Sequence, residues 1–325
     1  MAPDSSSFCS IRPLSFGRDC TALALLILAV GRTAYCADED VATDYGNLLR
    51  GLSAQRDEIK TGIVSIRGFR TSNIGGENEF AGPVNYELCF DFPARRFRFD
   101  RTAPIWKNGR DAEADRFVAF QGGQFVRTPE HVLTRQLGSD RVSVLPPASK
   151  APIWCKPLDI RALGLYLNYE TEASSDLPAM LKIYATIEPQ SIKEVEAGVF
   201  EVTSLVGASQ RTMWIDSKRG FWPTKLIVRR RIKNQDGQLD WSTPSIEQVL
   251  EPRRFDGVWA PASYRLKNQM TEETLKFEWE GVNREIDPGA FEVSGLDLRG
   301  AKSVVDSTDG EPVIIEIDSK LPPKK

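Results

Sequence analysis

Histidine is almost missing from this chain: His131 is the one instance in 325 residues. That scarcity excludes multi-histidine metal centres and leaves a Ser-His-Asp or Cys-His enzyme a single candidate base. His131 stands in "TPEHVLTR" with no nucleophile at motif spacing, so a surface or capping role is expected of it. The short catalytic signatures are missing as well: there is no G-x-S-x-G, H-E-x-x-H, C-x-x-C or G-x-x-x-x-G-K-[ST]. Neither sign of charge dominates, with 42 basic and 45 acidic side chains and a net charge of −3. A general nucleic-acid binder would carry a strongly basic face, so that class is not expected. No cofactor or metal site is expected either.

Long apolar runs are lacking too. The longest, "TALALLILAVG" from Thr21 to Gly31, is well short of the roughly 20 residues that span a bilayer. Arg12 and Arg18 precede it and "AYC-ADED" follows, which predicts a Sec signal peptide over 1–36 with cleavage after Cys36. A lipoprotein site would make Cys36 the first mature residue, but Thr33, Ala34 and Tyr35 lack the Leu-small-small pattern. Export places the protein in the periplasm or outside the cell, with no transmembrane segment in the mature chain. Removal of 1–36 leaves 39 basic and 43 acidic side chains. It also removes Cys9, Cys20 and Cys36 and leaves Cys89 and Cys155. These two either pair as a disulfide in an oxidising compartment or sit as two buried thiols.

What is present is pattern. Tyr45, Leu48, Leu49, Leu52 and Ile59 recur at helical spacing, so an amphipathic helix is expected within 37–62. The period then changes to two: Val84, Tyr86, Leu88 and Phe90 alternate with polar neighbours, as do Phe97 and Phe99, and later Leu275, Phe277 and Trp279. Gly122-Gly123, Asp236-Gly237 and Asp256-Gly257 read as tight hairpin turns between antiparallel strands. Strands are expected over 63–156 and 188–300, roughly ten of them by the spacing of turn signals. Between them 157–187 carries Ile160, Leu163, Leu167, Leu177, Met180, Leu181 and Tyr184, spaced for two short helices. Residues 301–325 should hold a last strand and a disordered tail ending in "KLPPKK". The expected fold is mainly β (α+β): one large curved antiparallel sheet, its concave apolar face covered by the N-terminal helix and the helical insert.

The order of these pieces resembles the LolA, LolB and RseB-like half-barrel of exported bacterial lipoprotein carriers and sensors. The resemblance is carried by the leading helix, "GIVSIRGFR", "FEVTSLVGASQRTMWIDSKRGFWPTKLIV" with its Gly-x-x-Pro turn, "FDGVWAPASY" and "IDPGAFEVS". It spans roughly residues 60 to 295 and makes 37–300 a single domain. It implies a non-enzymatic protein that holds an acyl chain, lipid or lipoprotein between a curved sheet and its helices. It transfers no individual binding residue.

Candidate ligand contacts come from the residues themselves. Trp214, Trp222, Trp241, Trp259 and Trp279 fall in the strand-rich second half, and aromatics on a curved sheet line a groove or fill a core. Of these, Trp214, Trp222, Trp259 and Trp279 are the tentative ligand contacts. In "TKLIVRRRIK" the strand period puts Leu226, Val228 and Arg230 on one face and Arg229 and Arg231 on the other. Cross-strand pairs with Asp240, Glu247 and Glu251 would explain Arg229 and Arg231. Arg230 points to the apolar side, either snorkelling at the rim or placed at a cavity mouth for an anionic head group. Three readings follow: a carrier of a hydrophobic ligand, an envelope-protein interaction module with a fully packed core, and a hydrolase built on two carboxylates. Asp216, Asp236 and Asp256 all sit in turn contexts that occupy their carboxylates locally.

Overall fold

The computed structural model describes residues 39–73, 79–105, 119–152, 155, 157–167, 176–233 and 238–317. The expected signal peptide, Trp106, Trp154, the Asp236-Gly237 turn and the tail beyond 317 lie outside the described residues.

Helix α1 (Glu39–Arg56) buries Tyr45, Leu48 and Leu52, a stripe spaced by three and four residues. The next position on that stripe is Arg56, and this is why an arginine is fully buried. The helix stops at Arg56 because the chain turns through Ile59 into the sheet.

The first run of strands comprises β1 (Thr61–Asn73), β2 (Glu79–Asp91), β3 (Arg96–Ile105), β4 (Ala119–Arg127), β5 (Val132–Gln136) and β6 (Arg141–Leu145). After helix α2 (Leu177–Ala185) come β7 (Pro189–Glu196), β8 (Val199–Val206), β9 (Ser209–Asp216), β10 (Trp222–Lys233), β11 (Leu239–Trp241), β12 (Ile246–Phe255), β13 (Val258–Asn268) and β14 (Thr271–Val282). Two short strands, β15 (Ser303–Asp306) and β16 (Val313–Glu316), close the described chain. All belong to one open curved sheet in the order β16-β15-β6-β5-β4-β3-β2-β1-β14-β13-β12-β10-β9-β8-β7, with β11 beside β10. It is a half-barrel, antiparallel throughout except for the parallel pair β15 and β6.

Alternation decides the faces. Val84, Tyr86, Leu88 and Phe90 of β2, Phe99 of β3, Leu226 of β10, and Leu275 and Phe277 of β14 are all buried in the concave core. The Asp256-Gly257 turn forms as the sequence predicts: Phe255 faces Val258, and both loop residues take positive φ, 49° and 87°. Gly122-Gly123 does not form a turn. Both lie inside β4, opposite Thr102 and Arg101, and a Cβ on Gly122 would stand 1.8 Å from the Arg101 carbonyl oxygen. These glycines serve close strand approach rather than reversal. The insert also differs in part: its second helix is α2, whereas Ile160–Ala162 makes only a single 3-10 turn.

A second apolar cluster lies on the convex side. Ile286, Phe291 and Leu296, on the segment that follows β14, cover Cys89, Val126, Leu133 and Val142. Arg98 fastens that segment by donating to the carbonyls of Ala290 (3.3 Å) and Gly295 (2.7 Å).

Cys89 therefore faces the convex cluster, and Cys155 lies in the concave core. Both are free and buried, so of the two alternatives the structure has the pair of buried thiols, separated by the sheet. Burial pushes the Cys89 thiol up to about 11 and the Cys155 thiol higher still. Reactive thiolate is thus scarce near neutral pH. Titration with a thiol reagent should find almost no fast-reacting group in the native protein at pH 8, and both thiols after denaturation.

Candidate functional site

The concave face and its cover form the candidate binding site. Three pieces make the cover: α1, the segment 157–167, and α2. Asp159 joins the last two. Its carboxylate accepts from the backbone N–H of Arg161 (3.0 Å) and of Leu177 (2.9 Å), and from the Arg161 guanidinium. Asp176 caps α2 by accepting from Ala179 N–H at 2.9 Å. Tyr184 donates to the Leu165 carbonyl (2.8 Å) and Tyr45 to the Tyr184 carbonyl (3.3 Å).

Arg56 sits where cover meets sheet. One terminal nitrogen donates to the Arg161 carbonyl, and the guanidinium stacks 4.0 Å over the Trp222 ring. Its Nε and the other terminal nitrogen have no hydrogen-bond partner. Burial lowers its pKa to about 9, so it stays charged at neutral pH.

Bonds from cover to sheet include Gln248 Nε2, which donates to the carbonyls of Tyr166 and Leu167, the latter at 3.0 Å. The Arg161 guanidinium also lies 3.5 Å over the Phe92 ring. A cavity of about 10 Å³ remains between the helices and β8 to β10, bordered by Tyr45, Tyr184, Met213 and Leu226. That is room for at most one water. Among the described residues, buried side chains of the sheet and the cover pack against one another around this cavity.

Toward the other end of the same face lies a charged group with no counterpart among the expected site residues. Arg70 donates to Glu273 at 3.0 Å and to the Tyr86 hydroxyl at 3.2 Å, and the Arg101 guanidinium lies 5.8 Å from the Tyr86 ring. Arg70, Arg101 and Glu273 are all buried.

Of the tentative ligand residues, Trp222, Trp259 and Trp279 share the concave core, whereas Trp214 and Arg230 lie apart from it. Trp222 is buried beneath Arg56, and its Nε1 donates to the Trp259 carbonyl at 3.2 Å. Trp259 packs against the concave core with the Arg254 guanidinium 5.3 Å from its ring. Trp279 stands edge-on to Phe90 at 6.3 Å, with its Nε1 bonded to the Pro261 carbonyl at 2.8 Å. Trp214 alternates with buried Met213 and Ile215, so it faces outward, with Lys225 Nζ 5.2 Å over its ring. Arg230 stays in phase with buried Leu226 and Val228, but the strand has run past the edge of the core and the side chain is exposed. Its backbone N–H donates to Ser242 Oγ at 3.0 Å. The charge pairs expected for Arg229 and Arg231 do not form. β10 pairs with β12 only from Lys225 to Val228, which leaves Arg229 opposite Gln210, and Arg231 stacked on Trp241 at 5.5 Å.

A second depression, about 540 Å³, opens on the convex side and is lined by Arg67, Glu87, Asp100, Arg135, Asp297 and Arg299 among others. Its charges are matched locally: Arg67 with Glu87, Asp100 with Arg98, Asp297 with Arg299. Arg299 holds the Asp297 carboxyl down at about 2, the reverse of what a general acid requires. Among the described residues no cluster of three His, Cys, Asp or Glu side chains is placed to hold a metal. None of their helices is long and apolar enough to cross a membrane.

No protein-family model matches the chain, and no curated protein does. Several solved structures are similar to it. One is a DUF1329 family protein from Desulfovibrio piger, 8% identical, with 78% of this chain and 98% of that one covered and a TM-score of 0.42. Another is the LolA superfamily protein NE2245 from Nitrosomonas europaea, 13% identical, with coverage of 76% and 99% and a TM-score of 0.36. A third is LprF from Mycobacterium bovis, 12% identical, with coverage of 75% and 97% and a TM-score of 0.28.

Proposed function

We propose that this is an exported, non-enzymatic carrier that holds an acyl chain or lipidated partner between sheet and cover, and that the cover is closed in the conformation described. The construction of the cover carries this reading. Asp159, Tyr184, Tyr45 and Arg56 bond the three pieces of the cover to one another, and the surface they rest on is apolar. A layer tied to itself and laid on an oily face is able to lift as a unit, and an acyl chain sliding beneath it would keep that face out of water. Export follows from the reading of residues 1–36 as a signal peptide.

The 10 Å³ cavity favours a second reading, a packed module that meets an envelope partner through its outer surface. Protein isolated from cell envelopes and analysed by native mass spectrometry should carry bound lipid, and delipidated protein should take up a fluorescent fatty acid. Gln248→Leu, which removes bonds between cover and sheet, should speed that uptake about tenfold, the equivalent of ~1.4 kcal/mol. If no lipid co-purifies and neither protein takes up the probe, the carrier reading fails and the packed module stands.

A further inference from the structure

The two edges of the sheet are finished differently. The β7 edge carries Lys193, Glu194 and Glu196 and two irregularities, between Pro189 and Ser191 and between Glu194 and Glu196. Charge, bulges and proline are the usual protections against strand addition. At the opposite edge β16 has no such guard along its apolar run: Val313, Ile314 and Ile315 are 59%, 65% and 54% exposed.

Its hydrogen-bonding phase is fixed. Ile317 N–H donates to the Lys302 carbonyl at 2.8 Å, and the ladder pairs Ile315 with Val304 and Val313 with Asp306. In an antiparallel pair every second residue turns its N–H and C=O away from the partner. On β16 these are Ile314 and Glu316, whose backbone groups face the open side. Pro312, which has no N–H, ends this free edge. The neighbouring charge is mostly negative: Asp306, Asp309, Glu311 and Glu316 lie between Ser303 and Ile317, and the one cation beside them, Lys302 opposite Ile317, is 3.8 Å from Asp140.

We propose that β16 is a docking edge for an extended segment of a partner protein in which apolar and basic residues alternate. The segment would add as a further strand, its backbone paired to Ile314 and Glu316. Its apolar side chains would cover Val313 and Ile315 on one face, and a basic one would meet Glu316 on the other. A second copy of this chain is a poorer occupant, because its β15, turn and β16 would bring the same four carboxylates. The chain's own "LPPKK" end is poorer still, because Pro322 and Pro323 have no N–H to give. This inference stands apart from the carrier reading, since β16 lies at the sheet's edge and takes no part in the concave core.

The test uses the full mature chain and a synthetic peptide of alternating lysine with valine or isoleucine, against a counterpart with glutamate in place of each lysine. The basic peptide should bind saturably and slow hydrogen exchange at the Ile314 and Glu316 amides. The acidic one should bind at least about tenfold more weakly. Ile314→Pro should abolish binding by removing an outward N–H, and Glu316→Lys should weaken it about tenfold with the backbone untouched. The proposal is overturned if both peptides bind alike, if the two amides gain no protection, or if Glu316→Lys binds as wild type. It is equally overturned if sedimentation shows a dimer that Ile314→Pro dissociates, since the edge would then belong to a second copy.

Discussion

Glu273→Ala should destabilise the protein by about 3–5 kcal/mol, measured as a shift in the urea midpoint with the slope unchanged. The wild-type carboxylate is 1% exposed at the side chain and accepts from Arg70 at 3.0 Å. The substitution takes a buried carboxylate away from a buried guanidinium. Removal of both charges is the control. Arg70→Met combined with Glu273→Leu should recover most of the loss, because two apolar residues of similar bulk need no partner inside the sheet. A double variant as unstable as the single one would mean that packing, not the broken ion pair, sets the effect.

Trp222→Ala is the second large effect, also about 3–5 kcal/mol. The indole is buried among Arg56, Trp259 and the concave core, and its removal leaves a cavity and takes the stacking surface from a charged side chain that already lacks two hydrogen-bond partners. Thermal unfolding monitored by far-ultraviolet circular dichroism measures the loss. Trp222→Phe should restore more than half of it, since a ring remains beneath the guanidinium. If phenylalanine is no better than alanine, the Arg56 stack contributes nothing.

Much of the fold is legible in the sequence because alternation and helical spacing are local. Val84, Tyr86, Leu88 and Phe90 declare their face within one strand, as do Tyr45, Leu48 and Leu52 within one helix. Non-local features are not legible. The Gly122-Gly123 pair has the composition of a turn, and only the approach of Arg101 on a neighbouring strand shows that it serves a straight one. Cys89 is oriented by β2 parity, but what covers it arrives from Phe291 and Leu296, some two hundred residues later. The β15 and β16 pair reads as a single strand in the sequence because four-residue strands carry too little pattern.

The buried charges of the candidate site are legible in one respect, their face. The parity that directs Arg230 to the apolar side applies equally to Arg70 after Val64 and Ile66, to Arg101 after Phe97 and Phe99, and to Glu273 before Leu275. Those three are buried and Arg230 is not. The difference is position along the strand: parity gives the face, and the neighbouring strands decide how far the core extends beneath it.

The place of β1 has a consequence for how the molecule forms. It is the first strand made, yet it lies mid-sheet between β2 and β14, with Gly62 opposite Val282. The pairing that joins the early strands to the later ones must close a loop of more than two hundred residues, whose entropy is lost before any contact repays it. Until β14 docks, one side of β1 is a raw template for strangers. In the interval before its last long strand arrives the chain is most exposed to pairing with other chains, and most in need of a chaperone.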